Sequence, residues 1–157
     1  MITIEAEQFS AELAAEILPL AQKSWEESTV FKKESCAYFG DRDFTLQPDI
    51  GRYVELAEQD SVILMALRDE GVLRGYALGL VYRSLHHKTI IGGIGDLIHV
   101  ELEYRPYTAV IVEKFEKEMK ARNVEIIGWP THINGPVYEL LKARGYVGDD
   151  IVMEKRI

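Results

Sequence analysis

The alternation of apolar and polar residues predicts a strand followed by two helices in the first third of the chain. Residues 1–5 alternate between the two classes, and an apolar stripe predicts a helix over residues 11–25, kinked or split at Pro19. Residues 26–45 show no period, so they are predicted to form a loop with at most a short helical turn. A second stripe predicts a helix over residues 50–60.

Three extended segments joined by short polar turns come next. Residues 62–68, 72–83 and 89–101 are rich in apolar and β-branched side chains, and a turn signal at residues 69–71 separates the first two. The third segment is interrupted by glycines. Consecutive strands with short connections are typical of an antiparallel meander.

The final third predicts a helix, a strand and a second helix. A helix over residues 107–122 carries an apolar stripe beside acid–base pairs four positions apart, and a strand follows over 124–129. The next helix covers 136–144 and ends at Gly145, and residues 146–156 are predicted to add one or two closing strands. The strand–helix–strand unit implies a right-handed crossover and therefore a parallel pair.

These elements predict a mixed α/β (α+β) fold in one domain over residues 1–157. The central sheet is expected to have six to seven strands, antiparallel early in the chain and parallel in the middle, with about four helices flanking it. A length of 157 residues is usual for a single domain with its own core.

Composition narrows the expected partners and compartment. The chain has 18 basic and 26 acidic residues, a net charge of −8, and its basic residues do not cluster. Nucleic acid is therefore not an expected partner, and a basic substrate such as an amine suits the charge better. The first residues lack the features of a signal peptide, and the longest apolar run, 62–67, is far shorter than the ~20 residues that span a bilayer. With Cys36 as its single cysteine, the chain is expected to lie in the reducing cytoplasm, away from membranes.

The histidines do not form a ligand pattern for a metal. His86 and His87 are adjacent in a predicted turn, without a cysteine or carboxylate at a suitable spacing, so no metal site is expected. His132, in the loop before the last helix, either lines an acceptor site or forms a local hydrogen bond.

Residues 94–146 contain a recognisable series of segments. A strand ends in the sequence VELEYR at residues 100–105, a helix and a strand follow, and the sequences HIN at 132–134 and GY at 145–146 flank the last helix. This series resembles the acyl-CoA-binding half of the GNAT superfamily of N-acetyltransferases, whose segments read roughly V-x-P-x-Y-R-G-x-G-x-G and N-x-x-A-x-x-x-Y-x-x-x-G-F/Y. The earlier helices and strands follow the family's order as well, and the tail resembles those of small bacterial and bacteriophage members.

The resemblance implies acetyl-CoA as a co-substrate, bound along a strand edge and over a helix N-terminus, where the helix dipole favours phosphate. It also implies that the strands around residues 94–101 and 124–129 splay apart at their C-terminal ends. The pantetheine arm would enter this gap, held by the amides of Val100 and Leu102. The implied acetyl-CoA contacts are Val100, Leu102, Arg105, Tyr107, Thr108, Ala109, Val110 and Asn134.

Three positions in this segment depart from the family pattern. Thr108 and Val110 stand at two glycine positions, where glycine lets the backbone come close to the phosphates. Pro106 lacks an N–H donor. The Thr108 hydroxyl is a candidate replacement donor.

Two residues are candidates for proton transfer. Asp96 lies on the strand where the family carries its general base, and strand parity places it on the face of Ile98, opposite to His99. A carboxylate there can accept an ammonium proton through water. The family's tyrosine acid falls at Leu141, and Tyr138, one turn earlier, is the nearby substitute. Plain structural roles stay open for both candidates, as a polar strand residue for the first and a packing residue for the second.

The expected function is direct transfer of an acetyl group from acetyl-CoA to a primary amine of a small molecule or protein. The alternative is a catalytically inactive GNAT-fold module for binding or inhibition, which the departures at Thr108, Val110 and Leu141 favour. Four aromatic residues either line the acceptor pocket or pack in the core. They are Phe31, Tyr38, Phe39 and Phe44. A homodimer is left open.

Overall fold

The computed structural model describes residues 1–35, 46–131 and 135–148, without the side chains of residues 28–35. The chain forms two compact units, one of Met1–Leu20 with Asp49–Pro130 and one of Ala21–Pro48 with Thr131–Ile157. None of the helices in the described ranges is both long enough and apolar enough to cross a bilayer.

The first unit is built on a sheet with the strand order β1-β2-β3-β4-β5. The strands are β1 (Ile2–Ala6), β2 (Val62–Asp69), β3 (Val72–Arg83), β4 (Ile91–Val100) and β5 (Ile126–Gly128). Neighbours from β1 to β4 are antiparallel, and β5 is parallel to β4. The predicted meander, parallel pair and mixed sheet are therefore confirmed.

The expected strand count is higher than the observed one. The sheet has five strands in the described residues, where six to seven were expected. The difference lies at the C-terminus, because residues 146–148 form no strand and the rest of the predicted closing segment, 149–156, is outside the described residues.

Four α-helices and one 3-10 helix are present within the described residues. They are α1 (Ala11–Ser35), α2 (Ile50–Glu58), the 3-10 helix (Leu102–Tyr107), α3 (Thr108–Ala121) and α4 (Pro136–Ala143). The predicted end of the first helix is wrong, because α1 is not split at Pro19 and continues to Ser35. Buried Ile17 and Leu20 hold the helix by packing on either side of the proline. Farther along, polar pairs such as Gln22 Nε2 to Glu26 Oε1, at 2.8 Å, stabilise turns that have no apolar period.

Helix α3 forms the core with one face of the sheet. The stripe predicted for this helix, Ile111, Phe115 and Met119, is fully buried. It packs with inward side chains of β1 to β4 in a single apolar cluster. The sheet residues in this cluster are Ile4, Ile63, Met65, Leu67, Ala77 and Val100. Tyr76 and the β2 residues Val62, Leu64 and Ala66 lie on the opposite face by strand alternation, and they are buried as well.

Glycines on β3 and β4 make the close approach of α3 possible. A Cβ added at Gly79 would lie 2.3 Å from the Phe115 ring, and one added at Gly95 would lie 2.2 Å from the Trp129 ring. The rings of Phe115 and Trp129 are themselves in contact, with centroids 5.0 Å apart. Gly79, in the second predicted strand, and Gly95, in the third, therefore mark places where aromatic side chains press against the backbone.

Candidate active site

The parallel pairing of β4 and β5 is short. It joins Gly92 to Ile126 and ends at Ile94 with Gly128, whereas β4 continues to Val100. Past Ile94, no strand in the described part of the chain pairs with this side of β4. The sheet therefore has an unpaired strand edge along β4 from the residue after Ile94 to Val100 within the described residues.

The backbone of β4 directs donors toward this edge. The N–H of Glu101 donates to the carbonyl oxygen of Arg74, on the side of β3, at 2.9 Å. Because successive amides of a strand point to opposite sides, the N–H of Val100 points to the unpaired edge. Leu102 begins the 3-10 helix, and the first N–H groups of a helix have no partner within it.

A β-bulge changes the direction of Asp96. Leu78 on β3 pairs with Leu97, and the next residue, Gly79, pairs with Gly95, so Asp96 is an extra residue in β4. In a bulge, two residues oppose one on the partner strand, which places Asp96 and Leu97 together opposite Leu78. The predicted parity of Asp96 with Ile98 is therefore wrong, because one inserted residue shifts the alternation.

The buried imidazole of His99 lies on the same face as Asp96. His99 pairs with Tyr76, on the side of the sheet opposite Ala77 and the α3 core. His99 points away from Ile98, as predicted, and only 7% of its surface is exposed. The prediction that it lies on the face opposite to Asp96 is wrong. The bulge thus brings the candidate base to the His99 face.

The carboxylate of Asp96 has a tyrosine partner that the sequence did not single out. Tyr53, from α2, donates a hydrogen bond from its hydroxyl to Asp96 Oδ2. Burial raises the pKa of the Tyr53 phenol well above its ordinary value, and the bond to Asp96 and its charge raise it further. Burial likewise raises the pKa of Tyr76, with a further contribution from the Asp96 charge. Tyr53 therefore stays protonated and remains a donor to Asp96 at neutral pH.

Acetyltransferases of known structure share the fold of this chain. An aminoglycoside acetyltransferase from an uncultured soil metagenomic sample, in complex with sisomicin, matches with a TM-score of 0.72 at 9% identity, over 99% of this chain and 95% of that chain. The ribosomal-protein-alanine N-acetyltransferase of Brucella melitensis biovar Abortus 2308 matches with a TM-score of 0.62 at 13% identity, over 100% and 99% of the two chains. The chain has the GNAT fold.

The likeness is one of fold and not of sequence. A protein from Bacillus halodurans, in an F44R variant, matches with a TM-score of 0.74 at 15% identity, over 99% of both chains. No protein-family model and no curated protein sequence matches the chain. The GNAT fold is thus present although sequence identity to these structures is low.

The segment that aligns with the phosphate loop of the GNAT motif is helical here. Leu102–Tyr107 forms the 3-10 helix, and α3 begins directly after it at Thr108. Both the hydroxyl of Thr108, at 2.8 Å, and its backbone N–H donate to the carbonyl oxygen of Arg105. The hydroxyl that was a candidate phosphate donor is therefore engaged within the chain, whereas Val110 is exposed at the start of α3.

The second half of the GNAT motif lies in the other unit. Helix α4 begins with Pro136 and ends before Gly145, whose φ of 91° is the left-handed geometry expected at a helix end. Leu141 is buried, and the Lys142 ammonium lies 5.4 Å from the centroid of the Tyr138 ring. The role predicted for Tyr138 as an acid stays a prediction.

Several candidates fall outside the described residues. Asn134 and His132 belong to the undescribed segment 132–134, and the undescribed segment 36–45 contains most of the predicted acceptor-pocket residues. These are Tyr38, Phe39 and Phe44. Cys36 lies in the same segment. Among the residues whose placement is described, no group of three or more His, Cys, Asp or Glu side chains could hold a metal ion.

Proposed function

We propose that this GNAT-fold protein transfers the acetyl group of acetyl-CoA to a primary amine of a small molecule or protein. The observation that carries the proposal is the unpaired edge of β4 beside Asp96, which combines backbone donors for an extended ligand with a carboxylate. The names of two proteins with the same fold, an aminoglycoside acetyltransferase and a ribosomal-protein-alanine N-acetyltransferase, support amine acceptors. A net charge of −8 favours an acceptor that arrives as a cation.

The donor groups of the chain fit acetyl-CoA in part. The amides of Val100 and Leu102 suit the pantetheine arm, and Arg105, beside the start of α3, suits a phosphate. Pro106 and the internal bonds of Thr108 leave fewer donors than a glycine-rich loop would provide. The residues that would hold acetyl-CoA are Val100, Leu102, Arg105, Tyr107, Thr108, Ala109, Val110 and Asn134.

Asp96 is the proposed general base. When bound, acetyl-CoA supplies a thioester whose carbonyl carbon forms the new C–N bond and whose C–S bond breaks. The acceptor ammonium loses two protons: Asp96 takes one through water and passes it to solvent, and the other neutralises the departing thiolate. Tyr138 is the proposed donor of that second proton, although a thiolate is stable enough to leave without an acid. Holding the amine beside the carbonyl can contribute ~7–11 kcal/mol to the rate.

The remaining assignments follow from composition and are proposals as well. We propose that the protein acts in the cytoplasm without a metal, a membrane or a nucleic acid partner. Its single cysteine and its dispersed basic residues support this assignment. A homodimer is the oligomeric state to test first.

A transfer assay tests the proposed activity. The protein is incubated with acetyl-CoA and either sisomicin or a peptide with an N-terminal alanine, and the amine is followed by mass spectrometry. We expect acetylation of at least one amine, with release of an equal amount of CoA thiol. If acetyl-CoA binds and neither amine is modified at any protein concentration, the non-catalytic module becomes the better description.

A double glycine variant, T108G/V110G, is expected to bind CoA more tightly than the unaltered protein. Each glycine removes a Cβ at the start of α3, and the first also removes the hydroxyl that bonds to Arg105. Each change is expected to lower stability by ~0.5–1 kcal/mol, because glycine is a poor helix residue. Calorimetric titration of both proteins with CoA measures the difference. Equal or weaker binding by the variant would show that the loop is not a weakened phosphate site.

A further inference from the structure

We infer that Tyr53 is a positioning residue for the proposed base, holding the Asp96 carboxylate in one orientation at the unpaired edge of β4. The inference rests on the proposed function. Its basis is the meeting of two separate elements: the bulge aims Asp96 toward the Tyr76 and His99 face, and α2 brings the Tyr53 hydroxyl to Oδ2. The bulge and the tyrosine are both needed, because in a regular strand Asp96 would point to the other face of the sheet, away from Tyr53.

Tyr53 is itself fixed in place. Its ring packs against Phe9, with centroids 5.5 Å apart and an interplanar angle of 38°. The N-cap of α2 is satisfied by Asp49 Oδ1, which accepts from the backbone N–H of Arg52 at 2.9 Å. Gln8 Nε2 donates to the carbonyl oxygen of Ala57, at 3.3 Å, and joins α2 to the segment before α1. The Tyr53 hydroxyl that bonds to Asp96 is therefore carried by a helix whose position is fixed by these contacts.

The hydrogen bond from Tyr53 gives the two oxygens of the Asp96 carboxylate different roles. Oδ2 accepts from Tyr53, which leaves Oδ1 to accept the proton of the amine through water. Tyr53 from α2 donates a direct hydrogen bond to the carboxylate, and Tyr76 from β3 and His99 on β4 lie on the same face of the sheet.

The test compares two tyrosine variants. Tyr53→Phe keeps the ring against Phe9 and removes only the hydroxyl, and Tyr82→Phe makes the same change on a half-exposed residue of β3. The assay uses acetyl-CoA with whichever of sisomicin or the alanine peptide the unaltered protein acetylates. Tyr53→Phe is expected to lower kcat about tenfold and to leave KM for the amine nearly unchanged, because a misplaced base slows the chemical step without removing a contact to the substrate. Tyr82→Phe is expected to change neither.

A second replacement keeps the inference testable if Tyr53→Phe fails to fold. Replacing Tyr53 by 3-fluorotyrosine keeps the shape of the ring and makes the phenol a stronger donor, so kcat is expected to change at least twofold while KM and the unfolding temperature stay the same. Such a change supports the inference, because a packing defect would lower the unfolding temperature as well.

The outcomes separate the inference from the proposed function. If Asp96→Asn abolishes turnover and neither replacement of Tyr53 changes kcat, the positioning role is overturned and the proposed function stands. If Asp96→Asn leaves turnover unchanged, the role of Asp96 as the base fails, and the positioning role fails with it. A loss of rate in Tyr53→Phe that appears in KM and not in kcat also overturns the inference.

Discussion

Asp96→Asn is expected to lower turnover by about 10²- to 10⁴-fold at neutral pH while leaving the fold intact. Asparagine has nearly the same size, and its side-chain oxygen can still accept the hydrogen bond that Tyr53 donates to Asp96. It cannot accept a proton from an ammonium, so the chemical step loses its base. The measurement is kcat/KM for acetyl transfer, together with the unfolding temperature.

A matched control makes this result specific to the site. Asp60→Asn changes the same functional group at an exposed position, where Asp60 pairs with Arg122 at 2.8 Å. Asp60 has a φ of 56°, a conformation that asparagine tolerates well, so this variant is expected to fold normally and keep full turnover. Unchanged turnover in Asp96→Asn would remove Asp96 from the mechanism.

Gly79→Ala is expected to destabilise the protein by about 3 kcal/mol or more. The added methyl group would lie 2.3 Å from the Phe115 ring and 2.5 Å from the backbone oxygen of Ile94. The ring is fully buried, and the oxygen belongs to the neighbouring strand, so neither can move away without disturbing the core. Urea unfolding of the variant gives the change in free energy.

Two other glycines provide the comparison for Gly79. A Cβ at Gly128 would meet no described atom within 4 Å, so Gly128→Ala is expected to change stability by no more than about 0.5 kcal/mol. Gly93→Ala is expected to fall between the two, because its nearest neighbour is the flexible end of Met119, at 2.6 Å. Equal effects at Gly79 and Gly128 would contradict the close packing of α3 on the sheet.

The sequence predicted those elements whose signals are local. The hairpin between β2 and β3 could be predicted because Glu70 and Gly71 form a tight turn, with φ of 48° and 80°, between two apolar segments. Helix α3 could be predicted because its stripe faces a single core. The second half of α1 has no such stripe, so its helical state depends on polar pairs and packing that periodicity does not report.

The candidate site was harder to predict because it depends on a bulge. One extra residue in β4 moves Asp96 to the other face, and the pattern of alternation around it gives no sign of the insertion. Tyr53 fits the apolar stripe of α2, so the sequence indicates only a packing residue. A phenol within such a stripe is the one signal available, since a buried hydroxyl needs a partner.

Binding of acetyl-CoA tests the central claim most directly, because the unpaired edge of β4 has to accept the pantetheine arm. Thermal unfolding is followed with and without acetyl-CoA, and with ADP, which has a pyrophosphate but no pantetheine. At about 100 times its dissociation constant, acetyl-CoA is expected to stabilise the protein by about 2.7 kcal/mol, a rise of about 5–10 °C, and ADP by much less. No rise with millimolar acetyl-CoA would contradict the account.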